Sequence, residues 1–168
     1  MLVHITRPMQ QHPYDSLVTH LKAALTGLRH LGLGESLAKG RVGEVVLAHH
    51  LGHTLKVRDK GADGIDSDGR KYEYKVSHDD QFNFNFGHAR GVESVESLAK
   101  RHFDGFTGAY CALMSGPDIV KVVYCPADTL IPYLCDHLRT VTGSTFQKVF
   151  SPIERFAELS GARWEFRR

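Results

Sequence analysis

The sequence predicts an α/β (α+β) domain in which a small mixed β-sheet is flanked by helices. Three observations carry that expectation. Apolar residues recur at helical spacing near the amino end, in DSLVTHLKAALTGL and again in RVGEVVLAHHL. They give way to short alternating runs, KYEYKVS above all, of the kind that suits half-buried strands. Two apolar stretches, GAYCALMS and DIVKVVYC, are then separated by Gly116-Pro117, and another helical pattern follows. Helices placed before, between and after strands pack helix on sheet. A length of 168 residues fits one domain, 1–168, able to bury a core without disulfides or a structural metal.

Asp15 and Ser16 are N-cap residues for a first helix running through Leu17, Val18, Leu21, Ala24, Leu25 and Leu28, and Gly32 and Gly34 end it. A second helix is expected from Ser36 to Leu51, with Leu37, Val42, Val45, Val46 and Leu47 apolar and Gly52 as its stop. After Leu55 and Val57 comes KGADGIDSDGRKYEYKVS, two short runs about Ser67-Asp68-Gly69 that read as a β-hairpin. A loop rich in Asn, Phe, Gly and His follows, then a helix from Val92 to His102. GAYCALMS and DIVKVVYC are two buried strands. Asp128 opens another helix, Thr129 to Arg139, and the tail after Thr142 mixes aromatics and arginines without a clear period.

Composition excludes more than it assigns. The apolar fraction is 42%, the charged fraction 24% and the formal net charge +2, so charge names no partner. Cys111, Cys125 and Cys135 form an odd set with no CxxC spacing, which reads as reduced thiols of a cytoplasmic protein. No stretch resembles a signal peptide or a membrane span. His49, His50 and His53 lack an HExxH pattern or a cysteine pair, and Gly52 interrupts their helix, so no zinc site is expected there.

The hairpin is the segment with chemistry. If Ser67 to Gly69 form a three-residue loop with Gly69 in the left-handed region, Asp66 closes against Arg70 and Asp63 falls opposite Glu73. Side chains alternate along a strand, so Glu73 and Lys75 share one face while Tyr72 and Tyr74 take the other. A two-residue loop would set Asp63 against Tyr74 and break the group. Two carboxylates held side by side favour a cation between them, and oxygen ligands completed by water and phosphate suit Mg²⁺. Such an ion acidifies a bound water, and Lys75 on the same face could orient it. A cross-strand Glu–Lys pairing on a solvated hairpin is the plainer alternative. Glu44 lies among apolar neighbours on the second helix and needs a partner, either that metal or Arg41.

An acid on a helix, then an aspartate, then Glu-x-Lys on the next strand resembles the PD-(D/E)XK nuclease superfamily. Here these are Glu44, Asp63 and Glu73-Tyr74-Lys75. GADGIDSDGRKYEYK is similar to the active-site hairpin of type II restriction endonucleases, including the aspartate-to-glutamate spacing. Ala62 stands where the motif has proline, and an acid at the place of Glu44 is typical of other branches. The resemblance implies a restriction-endonuclease-like core and a homodimer that cuts double-stranded DNA at a short palindrome with Mg²⁺, Mn²⁺ substituting. It implies that Asp63, Glu73 and the main-chain carbonyl of Tyr74 bind metal and that Lys75 positions water, with no small-molecule cofactor.

In HDDQFNFNFGHARG, Gln81, Asn83 and Asn85 offer paired donors and acceptors to base edges, Arg90 can reach guanine or phosphate, and the resemblance implies that His88 lies near the DNA. The alternative is a polar strand end with Phe82, Phe84 and Phe86 turned inward. Lys39, Arg41, Lys56, Arg58, Lys60, Arg70 and Lys71 form a loose basic set suited to phosphates, as do TGSTFQK and Arg163, Arg167 and Arg168. Two other functions fit the same residues. One is a structure-specific nuclease of the Holliday-junction-resolvase kind, which needs no base-reading segment. The other is a DNA-binding module without activity, which gains nothing from crowded carboxylates.

Overall fold

The computed structural model of the chain describes residues 12, 14–30, 41–55, 62–87, 94–140 and 147–168. A six-stranded mixed sheet flanked by helices forms its centre, in keeping with an α/β or α+β class. In chain order its strands are β1 (Thr54–Leu55), β2 (Gly64–Ile65), β3 (Lys71–Ser77), β5 (Gly108–Ser115), β6 (Asp118–Pro126) and β8 (Arg163–Arg167), and they lie side by side in that same order. Every neighbouring pair is antiparallel except β3 and β5, which run parallel with Glu73 beside Ala109 and Lys75 beside Cys111. A parallel pair needs a long crossover, and here it carries strand β4 (Phe82–Gly87) and helix α3 (Val95–His102). The β5–β6 hairpin turns at Gly116, whose φ of 59° suits glycine.

The two faces of the sheet are filled differently. On one face Tyr72, Tyr74, Tyr110, Ala112, Met114, Val122 and Tyr124 pack with Val46, Leu47 and Ala48 of helix α2 (Arg41–Leu51). On the other, Ala109, Cys111, Val123 and Cys125 pack beneath α3, helix α4 (Ala127–Thr140), helix α5 (Ile153–Ala157) and the phenylalanines of β4. The period of two along β5 and β6 therefore divides tyrosines from cysteines. All three cysteines are buried free thiols, and burial raises those of Cys111 and Cys135.

Several elements depart from expectation. Helix α1 (Asp15–His30) begins at Tyr14, whose carbonyl accepts the Val18 N–H at 2.8 Å. Asp15 is thus its first residue rather than its cap, because its carboxylate is taken by His49 at 2.8 Å. The asparagine-rich loop is instead the strand β4, paired antiparallel with β7 (Gln147–Ser151) as a separate two-stranded sheet. Its alternating Phe82, Phe84 and Phe86 are all buried, and that burial overrides the poor strand propensity of asparagine. Helix α3 is capped by Ser94, whose Oγ accepts the Ser97 N–H at 3.1 Å; the expected start at Val92 lies outside the described residues. Helix α4 starts at Ala127, directly off β6, which places Asp128 in its first turn. Gly32, Gly34, Leu37 and Val57 also lie outside the described residues. No described helix is long and apolar enough to cross a membrane.

Gly64 fixes how closely β2 can approach β3, because a Cβ there would collide with the Tyr74 ring and hydroxyl. That hydroxyl is itself held by His53 Nδ1 at 2.7 Å. Gly64→Ala is expected to cost about 1–3 kcal/mol, the usual range for overpacking. In a Tyr74→Phe background the cost of adding the methyl is expected to be smaller. Urea unfolding of the two singles and the double measures this, and strict additivity would show that the Tyr74 hydroxyl is not the obstacle.

Candidate active site on the β2–β3 hairpin

The turn sets the register. Asp66 N–H donates to the Arg70 carbonyl and Gly69 N–H to the Asp66 carbonyl, each at 3.1 Å. Ser67, Asp68 and Gly69 are thus a three-residue loop, with Gly69 at φ 80°. The Asp66 carboxylate gathers the turn, accepting from the Asp68 N–H (3.0 Å), the Arg70 N–H (2.9 Å), Arg70 Nε (2.7 Å) and the Tyr72 hydroxyl (2.9 Å). Burial pushes its carboxyl up, but these donors together outweigh that and hold it down at about 2.

Ile65 pairs with Lys71 and Gly64 with Tyr72, so the same count carries Asp63 to Glu73. There the ladder becomes irregular. Asp63 N–H donates to the Tyr72 carbonyl and its carboxylate Oδ2 accepts the Tyr74 N–H, both at 2.9 Å. The N–H and C=O of one strand residue face the same neighbour. The Tyr74 carbonyl therefore emerges on the same flank of β3 as the Asp63 carboxylate.

Alternation along β3 separates chemistry from packing. Tyr72 and Tyr74 stack against His53 and Tyr110 on the α2 side. Glu73 and Lys75 point the other way, toward β4 and α3. Glu73 is only 7% exposed. Lys75 Nζ donates to Glu73 Oε1 and also sits 5.3 Å from the Phe84 ring centre. His102, the last residue of α3, brings Nε2 to 3.4 Å from the same Glu73 oxygen, with its ring against Phe86. That nitrogen is otherwise shielded, and its approach to Glu73 is an ion pair only when the imidazole carries a proton.

The two acids respond in opposite directions. Burial pushes the Glu73 carboxyl up, but His102 and Lys75 outweigh it and hold it down at about 2. At Asp63 burial and then the charges of Glu73 and Glu44 push the carboxyl up to about 6, against the pull of the Tyr74 N–H and Lys75. Glu44, in the first turn of α2, is thus felt at Asp63 from a separate element. The Arg41 side chain, its alternative partner, lies outside the described residues. Even with Lys75 in place, burial and the neighbouring acids make the ionised form of Asp63 costlier than in water. Asp63, Glu73 and the Tyr74 carbonyl offer only oxygen, the donor set that Mg²⁺ takes.

The DNA-facing set is divided. Gln81 and Asn85 are exposed, whereas Asn83 is half-buried with its Oδ1 shielded from solvent. His88 and Arg90 lie outside the described residues, as do Lys39, Lys56, Arg58, Lys60 and residues 142–146. Arg70 is engaged by Asp66 and Asp68, which makes it a clamp of the turn. Arg163 stacks on Tyr124 and Arg167 on Trp164. Asp79 and Asp80 order the β3–β4 connection: Asp79 accepts the Ser77 hydroxyl at 2.7 Å and Asp80 the Ile153 N–H at 2.9 Å.

Sequence reasoning missed His102. A histidine in the last turn of a helix ordinarily complements the helix dipole, and only the parallel β3–β5 crossover delivers it to Glu73. It also missed a group formed by His12, Asp15 and His49 on the α2 side of the sheet. A nearby cleft of about 380 Å³, lined by Lys22, Val46, His49, His50, Asp118 and Phe166 among others, contains none of the hairpin acids.

Asp63 titrates higher in the folded chain than its ordinary 3.8. Its ionised form is therefore penalised at neutral pH, and the penalty fades as pH falls through about 6 toward 4. Asp63→Asn keeps an acceptor for the Tyr74 N–H and removes the charge. Allowing for solvent screening at this partly exposed carboxylate, it is expected to stabilise the metal-free protein by about 1–2 kcal/mol at neutral pH. No gain is expected near pH 4. Urea unfolding across that range checks the sign, and a gain that does not vary with pH would refute the electrostatic cause.

No protein-family model matches the chain, and no curated protein matches it.

Proposed function

We propose that this protein is a Mg²⁺-dependent endonuclease of the type II restriction class, cutting double-stranded DNA at a short palindrome as a homodimer on a restriction-endonuclease-like core. The observation that carries the reading is the meeting of Asp63, Glu73 and Lys75 in the three-residue-loop register, with the charge of Glu44 acting on Asp63. An isolated Glu–Lys surface pair would need neither the second and third acids nor the burial of Glu73.

Bound there, Mg²⁺ supplies Lewis acidity that lowers the pKa of its water and neutralises charge on the phosphate. Asp63, Glu73 and the Tyr74 carbonyl hold the ion. Lys75, beside Glu73, would orient the attacking water; the water oxygen bonds to phosphorus as the P–O bond to the leaving strand breaks, and the proton it loses passes through solvent to the leaving oxygen. His102 lies against Glu73 at 3.4 Å and helps fix its carboxylate. The β4–β7 ribbon suits base reading, since a two-stranded ribbon fits the major groove and the side of β4 opposite the inward phenylalanines carries the exposed Asn85. A palindromic target calls for two-fold symmetry in the protein.

Purified protein with Mg²⁺ and mixed duplex DNA is expected to give discrete bands that EDTA abolishes. Lys75→Ala should lower the cutting rate about 10²–10³-fold, the usual worth of one donor aimed at charge that develops in the reaction. Asn85→Ala is expected to retain cutting but lose about 1–3 kcal/mol of discrimination at one base pair. Cutting confined to branched DNA would replace this reading with a junction nuclease. Mg²⁺-independent cutting, or none, would sink it.

A further inference from the structure

The start of α1 and the end of α2 bring a second group of metal-ligating side chains together, away from the hairpin acids. Asp15 Oδ1 lies 2.8 Å from His49 Nε2, joining the two helices. His12 is held over the helix start because its carbonyl accepts the Asp15 N–H at 2.9 Å. Its ring stands edge-on to that of His49, with centres 5.3 Å apart. One ligand atom from each of the three side chains lies within 4.8 Å of the other two. His12 Nδ1 faces the Tyr14 N–H at 3.4 Å, which leaves the other ring nitrogen for a ligand.

We propose that His12, Asp15 and His49 form a binding site for a divalent transition-metal ion of the zinc type. Two imidazoles and a carboxylate are borderline donors that favour Zn²⁺ or Co²⁺ over Mg²⁺, which prefers oxygen alone. Tetrahedral bonds of about 2.0–2.1 Å space ligand atoms about 3.3 Å apart. The ion would replace the proton shared by Asp15 and His49 while the His12 ring draws inward. Such movement is open to these side chains, since His49 and Asp15 are 31% and 35% exposed. The same exposure admits water to the fourth position. The site joins the chain before α1 to α2, the helix that carries Glu44. It does not depend on the nuclease reading.

The test uses EDTA-treated protein titrated with Zn²⁺ against a chromogenic chelator, and with Co²⁺ followed by visible absorption. The wild-type chain is expected to take one Zn²⁺ equivalent at this site and to give a tetrahedral Co²⁺ spectrum. His12→Gln and Asp15→Asn should each weaken Zn²⁺ binding at least tenfold, while Asp63→Asn retains it. At Zn²⁺ about 100-fold above Kd the melting temperature should rise about 5–10 °C. That rise should be absent in His12→Gln, whose fold circular dichroism would verify. Unchanged Zn²⁺ affinity in His12→Gln or Asp15→Asn overturns the proposal, as does loss of binding in Asp63→Asn or no stoichiometric binding by the wild type. Those results would leave Asp15 and His49 as a plain ion pair.

Discussion

The Asp66 carboxylate, by gathering two main-chain N–H groups, a guanidinium and a phenol, decides where β3 lies against β2. Strand side chains alternate, so a slip of one residue would turn Glu73 and Lys75 into the tyrosine layer and expose the tyrosines in their place. Asp66 and Asp63 are the same residue type three positions apart, with opposite environments. One is surrounded by donors and held acidic; the other meets acids and is pushed toward neutrality. The first acid holds the structure, and the strain sits at the second.

Charge and packing share β3 without mixing. The tyrosine face is closed by His53 and α2, and its polar tips are satisfied, Tyr72 by Asp66 and Tyr74 by His53. The opposite face carries a buried carboxylate beside a lysine and a histidine, walled by Phe84 and Phe86. Burying a carboxylate is costly unless a cation compensates it, and Lys75 does so for Glu73, with His102 beside it. Among the described residues, Lys75 is the cation that pulls on Asp63, and it does not offset burial and the neighbouring acids. The unequal supply of positive charge makes one acid a fixed anion and the other the position where an added cation gains most.

Much of the hairpin was legible because turn residues and the period of two are local rules. Ser67-Asp68-Gly69 specified the loop, and the loop specified which acids meet. β5 and β6 were legible as apolar runs broken at Gly116-Pro117. The β4 strand was not, since asparagine argues for loop and its partner β7 lies far along the chain, where no local pattern announces it. Helix α1 was found, but its cap was misassigned because Asp15 has a tertiary partner that competes for its carboxylate. His102 and His12 were invisible for the same reason. Each matters through a residue brought to it by folding.

The parallel pairing of β3 with β5 has a kinetic side. The β2–β3 hairpin is built of near-neighbour contacts, whereas the β3–β5 ladder closes only across the intervening β4 and α3. Local contacts form before distant ones reward the closure of a long loop. The acids thus meet through local contacts, while the histidine that helps hold Glu73 ionised reaches it only with the long-range closure. An incompletely folded chain carries the carboxylates without the surroundings that set their charge, so the electrostatics of the pair depend on the β3–β5 closure and not on the hairpin alone. φ-values in β2 and β5 would read out that order.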